Sequence, residues 1–295
     1  MIITNPELFK QEIEISKPQT YKNMTILPLI SPKEYDDIIT LKKGLKLELV
    51  EVKECEQSQV NTLIVKNNST SILALIDGEQ VIGGDQNRIV NETILVDSKS
   101  EIKIPVSCTE KGRWAYKKEF ENSDYIANYS TRRSKRMASL KSKPIQSEVW
   151  NSIDTLEMNH SFKSETSAME ESYENLRKGH NEIINEFKLV DGQTGVIIIV
   201  DGKVKGFELF LNSEIYEDFH EKILKSYIID TKLKESDCTI DIDGVKDLIE
   251  DVSKSKFIQK NKVGVEDPYE FKNETGFGSL YLFKNKLIHW SYFAK

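Results

Sequence analysis

Between Asp77 and Tyr116 the chain concentrates side chains that bind rather than pack. Glu79, Gln86, Asn87 and Arg88 flank a Gly83-Gly84 pair, and Cys108, Glu110, Arg113, Trp114 and Tyr116 close the strand-like run that follows. Arg88 offers a forked, permanently charged partner for phosphate or carboxylate, and a glycine bulge could present amide N–H groups to the same anion. The competing reading is a purely structural turn, although polar loops on a rigid sheet often carry function. The glycine pair is not a dinucleotide fingerprint, because β-rich sequence (Ile89 to Val96) follows where a helix would be needed. No cofactor is expected.

Cys108 is a candidate nucleophile if Arg113 holds it as thiolate, and otherwise a small buried side chain; no histidine is near it in sequence. Glu79 and Glu110 are candidates for paired acid–base carboxylates, against two solvated turn glutamates. Trp114 and Tyr116 alternate with Arg113 and Ala115, placed either to stack on a base or to plug a barrel end. His160, His180, His220 and His289 have no metal-ligand spacing with one another or with the cysteines, so no metal site is expected.

The elements that would position these groups read as follows. An amphipathic arm, Glu7 to Ile15, precedes a strand over Met24 to Ile30 that Pro28 confines to an edge or bulge. Ser31-Pro32 opens a helix-like run, and Leu45 to Val52 alternates as a strand. Strands follow over Thr62 to Val65, Ser71 to Ile76 and Gln80 to Ile82, the last two joined by an Asp77-Gly78 hairpin turn; Ile89 to Val96 and Glu101 to Ser107 complete a β-rich region. Arg132, Arg133, Lys135, Arg136, Lys141 and Lys143 form a charged connector, read as a solvated, mobile loop or as an arm folding over an anionic ligand. Helices follow from Gln146 to Phe187. Gly195 to Phe210 is a hairpin turning at Asp201-Gly202, and Gly278 to Phe293 aligns with it without gaps. Between them lie a helix over Glu214 to Ile229, capped by Ser213, and a shorter one over Asp243 to Val252.

The resulting fold class is α+β: an N-terminal antiparallel β-sandwich or open barrel, then an antiparallel sheet of two hairpins covered by helices on one face. The corresponding division is residues 1–125 carrying the site, a basic connector 126–145, and an α+β unit 146–295. With 38% hydrophobic and 30% charged residues, the composition is that of an ordinary soluble protein. The longest apolar run, Val196 to Val200, is too short to span a bilayer, so no membrane association is expected. Three widely spaced cysteines point to a reducing cytoplasm, and a net charge of −7 argues against general nucleic-acid binding.

These blocks also resemble a known family. DGEQVIGGDQNRIVNETILV, IPVSCTEKGRW, QSEVW, GVIIIVDGKVKGFELF and ILKSYIID, in that order and ending on an aromatic-rich hairpin, are similar to the ARPP family, named for ADP-ribosylglycohydrolase and rhodanese-phosphatase associated proteins. The resemblance implies binding or processing of NAD-derived or ADP-ribose-like compounds. It carries over Glu79, Gln86, Asn87, Arg88, Cys108, Glu110, Arg113 and Trp114, with Gln146 and Trp150 from the helical half. The expectation is a pocket protein, enzymatic or not, taking a nucleotide-derived small molecule. Arg88 and Arg113 would bind the anion, Trp114 would stack, Gln86 and Asn87 would contact the ligand, and Glu79 or Glu110 would serve as acid–base or polar groups. The alternative is a non-enzymatic module for a protein partner.

Overall fold

The computed structural model describes residues 2–4, 13–32, 37–55, 60–236 and 239–295. Most of the expected arm, the continuation of the run opened by Ser31-Pro32 and Cys238 lie outside the described residues. The chain begins with short strands β1 (Ile2–Thr4), β2 (Glu14–Ile15) and β3 (Gln19–Tyr21), then the longer β4 (Met24–Ile30).

The β-rich region follows as β5 (Ile38–Thr40), α1 (Leu41–Lys46), β6 (Val50–Glu54), β7 (Thr62–Asn67), β8 (Ile72–Leu75), β9 (Glu79–Ile82), β10 (Arg88–Val90), β11 (Ile94–Val96), β12 (Ser100–Cys108) and β13 (Glu121–Ile126). Its strands form a six-stranded sheet in the order β13-β9-β10-β12-β7-β6 and a three-stranded sheet in the order β11-β8-β5. The inward side chains of both, among them Val52, Leu63, Val65, Leu73, Leu75, Val81, Val90 and Val106, make one core. The strand expected from Leu45 starts only at Val50, because Thr40 caps α1 through the Lys43 N–H (3.2 Å) and Glu48, at φ 56°, turns the chain. Asp77-Gly78 does form a turn, with Gly78 at φ 84° and the Glu79 N–H on the Ile76 carbonyl at 2.9 Å. It closes no hairpin, since β8 and β9 belong to different sheets. The Ile89 to Val96 run is likewise split at Asn91 to Thr93, where the chain crosses between the same two sheets.

The expected connector is a helix. α2 (Tyr129–Leu140) buries Arg132, Lys135 and Arg136, which recur at three- and four-residue spacing and so share one face. Arg132 bonds Glu208; Lys135 and Arg136 hold the two oxygens of Asp77; Arg136 also reaches Glu270 at 3.0 Å and the Tyr281 hydroxyl at 2.9 Å. One turn acid, Asp77, and two strand acids, Glu208 and Glu270, thus replace water around these cations, and neither a mobile loop nor an arm over a ligand describes them. Two further helices, α3 (Ile145–Asn159) and α4 (Met169–Ile184), lie on the outer face of the six-stranded sheet, where Val149, Ile153, Met169 and Tyr173 pack on Ile89 and Tyr125.

The remaining elements are β14 (Gly195–Val200), β15 (Lys203–Phe210), α5 (Ser213–Ile228), α6 (Ile242–Ser253), β16 (Lys256–Gln259), β17 (Asp267–Lys272), β18 (Gly276–Phe283) and β19 (Lys286–Ala294). The two hairpins lie side by side as β18-β19-β15-β14, in a ten-stranded sheet that β17, β16 and β1 extend on one side and β4, β2 and β3 on the other. Asp201 (φ 52°) and Gly202 (φ 70°) supply the paired positive φ values that a two-residue hairpin turn requires. β4 pairs with β14 (Val196 opposite Pro28), so the N-terminal strand belongs to the C-terminal sheet. Pro28 lies in the gap between the pairings of β2 and β3, where its missing N–H costs no ladder bond and its carbonyl takes the Ser16 N–H at 2.9 Å.

Residues alternate cleanly across this sheet. Ile26, Val196, Ile198 and Phe210 meet α5 on one face, and Leu27, Ile197, Ile199 and Trp290 meet α6 on the other, so helices cover both faces rather than one. The cap of α5 is Asn212, one residue before the expected Ser213; its side chain accepts the Ile215 N–H at 2.9 Å. No helix among the described residues is long and apolar enough to cross a membrane.

Candidate functional site

The two polar clusters meet, because the antiparallel register sets Arg88 opposite Cys108. Gln86 donates to the Glu110 carbonyl at 2.8 Å, the Asn87 N–H to the Glu110 carboxylate at 3.3 Å, and the Thr109 N–H to the Asn87 carbonyl at 2.9 Å. Arg113 ties the knot. Its Nε holds Glu110 at 2.9 Å, Nη1 donates to the carbonyls of Gly84 (2.6 Å) and Ala115 (2.9 Å), and Nη2 to the Gly83 carbonyl (3.1 Å) and Asn87 Oδ1 (3.2 Å). Burial favours the neutral form of Glu110, but the bonds from Arg113 and Thr166 outweigh it and leave the carboxyl below its usual range. With every nitrogen engaged by protein acceptors, Arg113 fastens a loop and has no free fork for an anion.

The glycine amides are also taken, that of Gly83 by Asn87 Oδ1 at 3.0 Å and that of Gly84 by the Lys118 carbonyl at 2.8 Å. The pair is there for close approach: a Cβ at Gly83 would stand 2.5 Å from the Glu119 carbonyl oxygen, and one at Gly84 would stand 2.2 Å from the Phe120 ring. Arg88 is buried, with Nη2 at 3.5 Å from Glu54, Nη1 at 3.4 Å from the Asn87 carbonyl, and no acceptor for Nε among the described residues.

Cys108 is a buried thiol against Gln86 Oε1 (3.2 Å) and the Val60 carbonyl (3.5 Å); burial pushes its pKa up, only partly offset by Arg88, which opposes the thiolate a nucleophile needs. Gln146 bonds both the N–H (2.8 Å) and the carbonyl (3.0 Å) of Cys108, taking the place of a strand partner, and Trp150 packs nearby on α3. Trp114 and Tyr116 are 60% and 62% exposed, so they plug nothing.

Glu79 stands apart from Glu110. It accepts the Ile76 N–H (3.2 Å) and the Asn122 amide (2.7 Å), and lies 3.9 Å from the ammonium of Lys222 on α5. Burial pushes the Glu79 carboxyl up and pulls the Lys222 ammonium down, each partly countered by the other. Lys222 also bonds Asn122 and lies 5.5 Å over the Phe219 ring. It lines a groove of about 750 Å³ between α4 and α5, together with Lys42, Asp124, Arg177, Lys188, Glu217, Asp218, Glu221 and Lys225. Sequence reasoning passed over this groove. The signal was Lys222 and Lys225 on the face of α5 that Phe219 and Ile223 mark as apolar. On the other side of β9, Gln80 and Ser123 each donate to Glu170 at 2.8 Å, and burial lifts that carboxyl to about 7.

A third constellation has the look of a hydrolytic relay. His289 bonds Glu208 through Nε2 at 2.7 Å and Thr93 Oγ1 through Nδ1 at 2.8 Å. All three residues are 0% exposed, so no substrate reaches the hydroxyl, and the group continues the ion-pair network of α2.

An α+β protein with a fastened glycine loop and, separately, a polar groove between two helices is the class that these features define. The sequence profile of the ARPP-1 family, the ARG and Rhodanese-Phosphatase-superfamily-associated Protein domain, matches residues 12–293, and the chain belongs to that family. No curated protein and no solved structure matches the chain.

Proposed function

We propose that the groove between α4 and α5 binds a nucleotide-derived small molecule of the NAD or ADP-ribose class. The observation that carries this reading is the buried ammonium of Lys222 at the wall of a cavity of about 750 Å³, a volume in the range of metabolite sites. The lining interleaves both signs of charge, with Lys42, Arg177 and Lys225 each paired to an acid of the same groove. Lys222, Lys225, Lys42 and Arg177 supply cations for a diphosphate; Asp124, Glu217, Asp218 and Glu221 supply acceptors for ribose hydroxyls. The family description, which ties the domain to ARG and rhodanese-phosphatase superfamilies, fits such a ligand. The groove serves the reading better than the glycine loop, because anion binding by Arg113 would require it to release Glu110, Gly83 and Gly84.

Thermal shift with ADP-ribose and NAD tests the proposal, since ligand at a hundred times its Kd adds about 2.7 kcal/mol. The shift is expected to vanish in Lys222→Met and Arg177→Ala and to persist in Arg88→Ala. No shift with either compound overturns it.

A second reading, a protein-binding module, draws on one observation: Trp114 and Tyr116 are held out to solvent on the loop that Arg113 fastens. On that reading Trp114→Ala abolishes association with a partner, and neither compound raises the melting temperature.

A further inference from the structure

We propose that Lys222 is an amine nucleophile that forms an imine with an aldehyde- or keto-bearing phosphorylated sugar held in the groove between α4 and α5. The inference rests on the groove being a ligand site and adds a covalent step to it.

Four lysines line this groove, and their settings differ. Lys188 is exposed; Lys42 is half exposed and 3.6 Å from Asp218; Lys225 is 3.5 Å from Glu221. Lys222 is turned inward with its side chain 5% exposed, and its nearest carboxylate, Glu79, is 3.9 Å away. Its one hydrogen-bond partner among the described residues is the neutral amide of Asn122. The desolvation of this ammonium is therefore the least compensated of the four, and burial draws its pKa down toward the neutral amine that carbonyl addition requires. Glu79, pushed upward by its own burial, lies 3.9 Å from that ammonium and is too far to hold its proton in a direct hydrogen bond.

The chemistry balances without an added reagent. The ammonium sheds a proton and the free amine adds to the carbonyl carbon. Water in the open groove relays the protons: the carbonyl oxygen takes up the first as a hydroxyl, the nitrogen releases a second, and that second proton leaves with the hydroxyl as water, giving a protonated imine. Ammonium and carbonyl thus become iminium and water. Within the groove reading, the terminal ribose of ADP-ribose opens to such an aldehyde, whereas in NAD the same carbon is locked in an N-glycosidic bond.

The test is reductive trapping of the full chain with sodium cyanoborohydride and ADP-ribose, or ribose 5-phosphate, followed by peptide mapping. The adduct is expected on Lys222 in at least about tenfold preference to Lys42, Lys188 and Lys225, the order their settings in the groove dictate. It is expected to be absent with NAD and lost in Lys222→Arg, whose guanidinium cannot form the imine. Equal labelling of the four lysines, or a thermal shift with ADP-ribose and no adduct, overturns the imine while leaving the binding site standing. Absence of any thermal shift removes the groove reading itself.

Discussion

Lys135 on α2 and Asp77 in the turn between β8 and β9 form a salt bridge sealed from solvent, with Arg136 on the second carboxylate oxygen at 2.9 Å. Burial alone would raise the Asp77 carboxyl, but Lys135, Arg136 and Arg132 hold it far below the ordinary aspartate range. Burial nevertheless draws Lys135 down to about 8, so the lysine is the weaker half of the pair. Asp77→Asn leaves two buried cations short of a counter-charge and is expected to cost about 3–5 kcal/mol in urea unfolding. A loss below about 1 kcal/mol would show that α2 is held by packing alone.

Titration of Glu170 has the opposite sign. Its folded pKa, about 7, lies above the ordinary value of 4.5, so its contribution to stability is full below 4.5 and is lost as pH rises toward 7. Glu170→Gln keeps an acceptor for Gln80 and Ser123 and removes the titration. The melting temperature of the variant is expected to fall less than that of the wild type between pH 5 and pH 8. Parallel curves would place the titration elsewhere.

Cys108 and Cys55 make an internal comparison of thiols. Cys108 is buried and pushed toward the protonated form, whereas Cys55 is only half-buried. In a Cys238→Ser background, iodoacetamide at neutral pH is expected to label Cys55 first and Cys108 only on unfolding. Rapid labelling of Cys108 in the native protein would restore it as a nucleophile.

The glycine pair yields a graded prediction. Gly83 has φ 127° and would press a Cβ against backbone, while Gly84 has φ 52° and would press one against the Phe120 ring. Both alanine variants are expected to lose about 1–3 kcal/mol, with Gly83→Ala the worse because backbone cannot rotate aside as a ring can. A neutral Gly83→Ala would mean that the loop opens readily.

Much of the fold was legible because the periodicities are local. The Asp201-Gly202 hairpin and the helix carrying Val149, Ile153 and Leu156 announce themselves within a few residues. What escaped depended on partners far along the chain. Arg132, Lys135 and Arg136 read as a solvated run because their acids, Asp77, Glu208 and Glu270, are scattered over three distant segments. The clue was present on the other side: Glu208 sits between Phe207 and Leu209, and Glu270 between Tyr269 and Phe271, each a lone acid flanked directly by large apolar side chains. Convergence of Gln86 to Arg88 with Cys108 to Arg113 was readable from strand order, but not that Arg113 would exhaust its donors on the loop itself. Of the groove only one wall left a trace, the two lysines on α5; the wall that includes Asp124 is supplied by β13, against which α5 packs.

The pairing of β4 with β14, and the place of β19 between β18 and β15, constrain how the protein can be made. On the ribosome, MTILPLI emerges long before GVIIIV, and the central strand of the sheet, Lys286–Ala294, emerges after both of the strands it pairs with. The nascent chain therefore carries an unpaired apolar edge through most of translation, and the sheet closes only after the last hairpin is free. A long wait between the making of an edge and the arrival of its neighbour is the cost of this topology.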